Sequence, residues 1–409
     1  MRFALSLCII VLYAGVQGHH HKDHTDTSEH LDSEKHDHDL KLAVANADFA
    51  FNLYHQVASD KGQTNIFFSP VSVSTAFAML SLAARSKTYS QITETLGFNE
   101  TVLTEEDIHE SFHRLIQKLN AADSELQLSM GNAVFQQEKL KFLAKFLQDL
   151  TSYEAQAFTA DFHNTTEAIK QINDYVEKQT HGKIVDMMKD IDPRTLLVLV
   201  NYIYFKGKWE KPFEADRTTE EDFHVDENTV VRVPMMVRSG MYDIYHDEES
   251  HSTIVRLPYK GNASAYLILP ENGKMKQVET AFSKETLKMW KSKLRRSSVD
   301  LHFPKFSTSA TLDLKSTLMK MGIIDIFSDE ADLSGITGQR DIKVSEAVHK
   351  AAINIDETGT EAAGVTTIEI MPMSLPQTLE INRPFLMAIC EHVTHTIIFM
   401  GKIVNPTAQ

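Results

Sequence analysis

The sequence predicts an α+β fold, and two observations lead to this prediction. Apolar residues recur at helical spacing mainly in the first half of the chain, whereas strand-like apolar runs are concentrated in the second half. A succession of helices and then strands is typical of α+β folds, while a parallel sheet would need regular alternation of the two. The chain has 409 residues, which is enough for a large core.

Four segments have the periodicity of helices. In 40–58, Ala45, Phe49 and Leu53 are spaced four residues apart. The other predicted helices are 71–84, 104–120 and 166–181, the last ending before Gly182. Runs rich in β-branched and aromatic residues predict strands at 195–205, 254–257, 265–269, 299–303, 351–355 and 396–401.

Charge limits the classes of partner. The net charge is −15, which argues against nucleic acid and against an anionic membrane surface. We interpret the acidity as a property that keeps a monomeric protein in solution.

The N-terminus predicts a signal peptide over residues 1–18. Arg2 precedes an apolar run from Phe3 to Val16, which is too short for a membrane span and ends in small residues. Removal of this segment would also remove Cys8. Cys390 would then have no disulfide partner, and its apolar neighbours predict a buried, unreactive thiol.

Residues 19–39 predict a disordered tail ahead of a globular domain over 40–409. The tail contains seven histidines and seven acidic residues but no Phe, Trp or Tyr, so it cannot bury apolar area. Weak metal binding by its histidines is an alternative that the composition leaves open.

Three N-glycosylation sequons, at Asn99, Asn164 and Asn262, predict glycan-bearing surface loops. Together with the signal peptide they predict a secreted, extracellular glycoprotein.

The segment from His109 to His113 matches H-E-x-x-H, the pattern of zinc metalloproteases. The sequence that follows lacks a third ligand in the expected place. We therefore interpret the segment as an amphipathic helix with Ile108, Phe112 and Leu115 facing the core. The chain also lacks the G-x-S-x-G, G-x-G-x-x-G and P-loop motifs, and we predict neither an enzyme, nor a metal site, nor a cofactor.

Residues 357–376 alternate with a period of two. The even positions are small or apolar: Thr360, Ala362, Gly364, Thr366, Ile368 and Ile370. The odd positions carry the charges of Glu361 and Glu369, as expected of a half-buried strand. The segment nevertheless ends in two prolines, Pro372 and Pro376, which favour an extended and exposed conformation. This combination suggests a segment with two structural states.

Five motifs over residues 40–409 resemble the serpin family. They are NIFFSPVSVSTAFAMLSLAARS (65–86), LVNYIYFKGKWEKPF (199–213), DLSGIT (332–337), AVHKAAINIDETGTEAAG (347–364) and FMGKIVNP (399–406). The resemblance implies three β-sheets, about nine helices and an exposed reactive-centre loop. It also implies a plasma protein that acts as a suicide substrate and traps a serine protease by inserting the cleaved loop into a sheet.

The resemblance assigns roles to individual residues. The reactive bond is Met373–Ser374, and the flexible apolar side chain of Met373 suits an elastase- or chymotrypsin-like protease. The implied hinge comprises Glu357, Gly359, Thr360, Glu361, Ala362, Ala363 and Gly364, with Glu357 paired to Lys305. Residues where the sheet must open are Ser69, Ser72, Asn201, Trp209, Lys305 and His349.

A non-inhibitory serpin that carries a hormone or another ligand is the alternative. The hinge distinguishes the two, since non-inhibitors tend to have bulky, charged or proline residues on its inward face. Thr360, Ala362 and Gly364 are all small, which favours an inhibitor.

Overall fold

The computed structural model describes residues 25–98, 101–121, 126–359 and 375–408, with side chains from residue 33 onward. The chain divides into two compact units, with the boundary between Asp37 and His38. The second unit contains both sheets. None of the described helices is long and apolar enough to span a bilayer.

Ten α-helices lie in the described residues. They are α1 (Thr25–Lys61), α2 (Pro70–Ser81), α3 (Ser86–Thr95), α4 (Glu105–Leu119), α5 (Ala144–Thr151), α6 (Thr165–Gln179), α7 (Met275–Ala281), α8 (Lys284–Lys293), α9 (Leu314–Met321) and α10 (Ser334–Thr337). The four helices expected from periodicity correspond to α1, α2, α4 and α6. Helix α2 is buried along its whole length.

Helix α1 begins at Thr25, so residues 25–39 are helical where the sequence predicted a disordered tail. One physical reason lies at the end of this segment. The Asp39 carboxylate pairs with Arg114 at 2.8 Å and with Lys118 at 3.2 Å, both on α4. The signal peptide and residues 19–24 lie outside the described residues, and the division into signal, tail and domain stays a prediction.

Fourteen strands form two sheets in the described part of the chain. They are β1 (Ile66–Phe68), β2 (Leu126–Gln137), β3 (Gln156–Ala160), β4 (Leu197–Gly207), β5 (Thr219–His224), β6 (Val230–Asp247), β7 (Ser252–Pro258), β8 (Ala263–Pro270), β9 (Arg295–Pro304), β10 (Phe306–Asp313), β11 (Glu346–Ile355), β12 (Gln377–Glu380), β13 (Phe385–Glu391) and β14 (Ile397–Ile403). The larger sheet has the order β1-β14-β13-β8-β7-β6-β9-β12, with β5 on β6. The smaller has the order β10-β11-β4-β2-β3.

The α+β prediction is confirmed, but the count of three sheets differs. Strand β6 is 18 residues long and pairs with β5 through its first six residues and with β7 through its last five. Because this strand is continuous, its hydrogen bonds join into one sheet the strands that a three-sheet fold would divide between two.

Strand β4, at the centre of the smaller sheet, is buried on both faces, and the alternation of its side chains between the two faces positions the site. Odd residues of β4, such as Leu199 and Ile203, belong to the main core, whereas even residues such as Val200 and Tyr202 pack in a second cluster with α6. Strands β4 and β11 are parallel neighbours at the centre of the sheet.

Candidate functional site

A row of polar side chains crosses the centre of the smaller sheet. Asn132 on β2 and His349 on β11 are both register partners of Asn201 on β4. All three are buried, and Asn201 and His349 have no exposed surface. Since polar groups without partners are costly in a core, each needs hydrogen bonds in place of water.

Asn201 is the hub of this row. Its Nδ2 donates to Asn132 Oδ1 at 2.7 Å and to Ser72 Oγ at 2.8 Å. The main-chain N–H of Ser69 donates to His349 Nε2 at 3.0 Å. Nδ1 of His349 therefore carries the proton and donates to Asn201 Oδ1 at 2.5 Å. We call Ser69, Ser72, Asn132, Asn201 and His349 the shutter row.

Sequence reasoning predicted four members of the shutter row and missed Asn132. A signal was present, because Asn132 interrupts a strand of otherwise small and apolar residues between Met130 and Phe135. What was lacking was the register that places it beside Asn201.

Burial keeps His349 neutral. Desolvation lowers its pKa from 6.5 to about 3. The pKa of His349 is therefore lower in the folded protein than in the unfolded one. The free energy of unfolding is unaffected by this histidine above pH 6.5 and decreases as the pH falls from 6.5 towards 3.

We expect wild-type protein to lose about 2 kcal/mol more stability between pH 7 and pH 5 than a His349→Gln variant. The reason is that the unfolded histidine takes up a proton at pH 5 while the buried one does not. Urea unfolding at the two pH values measures the difference. Equal losses of unfolding free energy in the two proteins would show that His349 does not titrate as described.

Glu357 is fixed at the top of the smaller sheet. Lys305 Nζ donates to its Oε2 at 2.9 Å, and Thr218 Oγ1 donates to its Oε1 at 2.8 Å. Burial alone would raise the pKa of Glu357, but the hydrogen bonds from Lys305 and Thr218 and the lysine charge lower it overall. The predicted pairing of Glu357 with Lys305 is present, and the role of Glu357 in the hinge stays a prediction.

Residues 356–359 form a turn that packs on the end of β4. Trp209 holds it with two N–H groups: the indole Nε1 donates to Asp356 O at 3.0 Å, and the main-chain N donates to Thr358 O at 2.9 Å. Asp356 and Gly359 pair with each other as an antiparallel bridge, and Gly359 also pairs with Lys208. We call this segment the hinge turn.

Gly359 is required by both conformation and space. Its φ is +121°, and a Cβ there would lie 2.2 Å from Gly207 O. We expect Gly359→Ala to displace the hinge turn and to destabilise the protein by more than the ~1–3 kcal/mol of backbone strain alone. Gly273→Ala is the matched control, since Gly273 has a φ of +75° but no atom near the added Cβ. Thermal unfolding measures the loss of stability in each variant, and equal losses in the two would rule out the close contact at Gly359.

The rest of the predicted hinge, Thr360, Glu361, Ala362, Ala363 and Gly364, lies outside the described residues, as do Met373, Ser374 and Asn99. The described chain resumes at Leu375, whose side chain is 96% exposed. Asn164 and Asn262 are both exposed. Asn164 Oδ1 caps α6 by accepting from Glu167 N, which leaves the Nδ2 atom that a glycan would use.

The two histidines of the H-E-x-x-H segment have other partners. His109 Nδ1 lies 2.5 Å from the Tyr153 hydroxyl, and His113 Nδ1 lies 2.8 Å from Ser152 O. Burial lowers the pKa of His109 to about 4. Ile108 and Phe112 face the core, as the amphipathic interpretation predicted. No group of three metal-ligating side chains is present in the described residues.

Cys390 is a free, buried cysteine, as predicted, and burial raises the pKa of its thiol. A buried thiol with a raised pKa is a poor nucleophile.

Comparisons with known proteins agree with the motifs. Residues 44–406 match the family model described as Serpin (serine protease inhibitor). The chain is 49% identical to alpha-1-antiproteinase of Bos taurus over 405 residues, covering 98% of this chain and 96% of the relative. It is 48% identical to alpha-1-antitrypsin of Sus scrofa over 409 residues, covering 98% and 97%. A crystal structure of human thyroxine-binding globulin complexed with thyroxine matches with a TM-score of 0.87 and 45% identity, covering 91% of this chain and 100% of that chain.

Proposed function

Because the chain belongs to the serpin family, we propose that it is a secreted, monomeric inhibitor of elastase- or chymotrypsin-like serine proteases. It acts as a suicide substrate and not as an enzyme. The predicted signal peptide and sequons support secretion, and Met373 at the reactive bond supports the class of protease.

The observation that carries the proposal is the antiparallel bridge between Asp356 and Gly359. If this pairing continues along the chain, Thr360 lies opposite Ile355, Ala362 opposite Ile353, and every later residue follows in the same register. The hinge turn thus already has the pairing from which a hairpin with β11 would grow.

This register agrees with the alternation in the sequence. The residues of β11 that would face the even loop positions are Ile355, Ile353, Ala351, His349 and Ala347, all buried and all on the side of the main core. Directly opposed residues of an antiparallel pair place their side chains on the same face. The even, uncharged residues of the loop would therefore be buried, and Glu361 and Glu369 would not enter the main core.

Strand pairing favours insertion of the loop into the smaller sheet. Strands β4 and β11 are parallel, whereas a strand inserted between them would run antiparallel to both. Antiparallel pairing is slightly more stable per residue. Burial of Ile368 and Ile370 would add roughly 1.5–3 kcal/mol each.

The chemistry is that of an interrupted acyl transfer. The protease serine oxygen attacks the carbonyl carbon of Met373, an ester forms, the Met373–Ser374 peptide bond breaks, and Ser374 leaves with the free amine. Insertion of the released loop then moves the attached protease and distorts its active site before water can cleave the ester.

The test is to mix the glycosylated protein with neutrophil elastase, chymotrypsin and trypsin and to analyse the products on denaturing gels. We expect a covalent complex with the first two proteases and cleavage after Met373. Cleavage at that bond without any complex would contradict the proposal.

The likeness to thyroxine-binding globulin favours one second candidate, a carrier of a small hormone-like ligand. A carrier would be cleaved by the same proteases without forming a complex, and calorimetry would detect stoichiometric binding of thyroxine.

A further inference from the structure

Leu375 is the most exposed large apolar residue in the part of the chain that the structure describes. It is 96% exposed, whereas the next in order, Val393 and Val44, are 57% and 54% exposed. Single apolar residues are common on protein surfaces, so exposure alone does not indicate a role. Leu375 is, however, the second residue after the proposed reactive bond, Met373–Ser374, on the side of the leaving amine.

The chain that follows Leu375 restricts its conformation. Pro376 disfavours helical backbone at the preceding residue, which confines Leu375 to an extended conformation. Serine proteases bind their substrates as extended chains. Strand β12 begins at Gln377, one residue further on, and all four of its residues pair with β9. Leu375 therefore needs little further ordering when a protease binds, which reduces the entropy lost in that step.

Other contacts anchor β12 to the body of the protein. Leu379 is buried in the main core. The Gln377 Nε2 atom donates to Nε2 of His246 on β6 at 2.7 Å, and His246 Nδ1 then donates to Thr253 Oγ1 on β7 at 2.9 Å. Because these contacts lie beyond the reactive bond, cleavage leaves Leu375 attached to the body while Met373 leaves with the protease.

We propose that Leu375 determines specificity by filling an apolar S2′ subsite of the target protease, the subsite for the second residue on the leaving-group side. This inference rests on the proposed function, and it narrows the targets to proteases that accept Met373 and also have an apolar S2′ subsite. A leucine that is almost fully in water gains nearly its whole transfer free energy on entering such a subsite. The gain ends at cleavage, since Leu375 stays behind.

The test separates binding before cleavage from trapping after it. Leu375→Asn keeps a branched side chain of similar shape but makes it polar, and Leu375→Met stays apolar at similar volume. Val393→Asn is the control for the loss of an exposed apolar side chain elsewhere. The measurements are the second-order rate constant for inhibition of neutrophil elastase and the moles of inhibitor consumed per mole of elastase. Thermal unfolding checks that each variant is folded.

We expect the rate constant to fall at least about tenfold in Leu375→Asn, because the transfer free energy of one leucine side chain is lost. Leu375→Met and Val393→Asn are expected to keep a rate constant close to that of the wild type. The moles consumed per mole of elastase stay unchanged in all variants. An unchanged rate constant in Leu375→Asn, equal falls in both Leu375 variants, or a change in consumption in place of the rate constant would overturn the inference.

Failure of the proposed function would give a different result. If the wild type were cleaved after Met373 without forming a complex, it would be a substrate and not an inhibitor, but Leu375→Asn would still lower kcat/KM for that cleavage. Equal kcat/KM for the wild type and Leu375→Asn would overturn the role of Leu375 whether or not a complex forms. Cleavage at a different bond would also overturn it, since Leu375 would no longer occupy S2′.

Discussion

Replacing Thr360 with Arg is expected to convert the inhibitor into a substrate. Continuation of the Asp356–Gly359 pairing places residue 360 opposite Ile355, which is fully buried. An arginine there would have to bring an unpaired guanidinium into the main core, at a cost of several kcal/mol. Loop insertion would stall at its first residue, and hydrolysis of the ester would release the protease.

The measurement is the yield of covalent complex with elastase, together with the moles of inhibitor consumed per mole of protease. We expect the yield to fall at least about tenfold while cleavage after Met373 continues, since ~1.4 kcal/mol already corresponds to a factor of ten. Glu361→Arg is the control, because residue 361 belongs to the opposite face. If both variants formed complex equally well, the proposed register would be wrong.

Replacing Glu357 with Lys is expected to cause polymerisation. The change removes the ion pair with Lys305 and the bond from Thr218 and brings two ammonium groups together. Each hydrogen bond to a charged group is worth roughly 1.5–3 kcal/mol. With the top of the smaller sheet weakened, the loop of one molecule can add as a strand to the sheet of the next.

Native gels after heating below the unfolding midpoint follow the loss of monomer. The double variant Lys305→Glu, Glu357→Lys restores an opposite-charge pair and is expected to recover much of the monomer. Monomer lost at the wild-type rate in Glu357→Lys would mean that this contact does not keep the sheet closed.

The sequence predicted the elements of this fold better than their connections. Periodicity located α2, α4 and α6, and strand-like runs located β4, β9 and β11, because each pattern reports burial along a single element. Which strands are neighbours depends on contacts between distant residues. Asn132 was missed for that reason, and so was the joining of two sheets by β6.

By contrast, Glu357 and Lys305 were recognised through the family resemblance, which supplies long-range pairing that composition and periodicity do not.

The hinge turn also affects the expected rate of loop insertion. A hairpin normally forms only after its two strands have aligned in register, but the Asp356–Gly359 bridge is already the first residue pair of this hairpin. Growth from such a start resembles hairpin formation, which takes about 1–10 μs. The slower event is then the separation of β4 from β11, which the hydrogen bond between Asn201 and His349 holds at the centre. We therefore expect the strength of the shutter row to set the rate of loop insertion, and with it the fraction of protease that is trapped before the ester is hydrolysed.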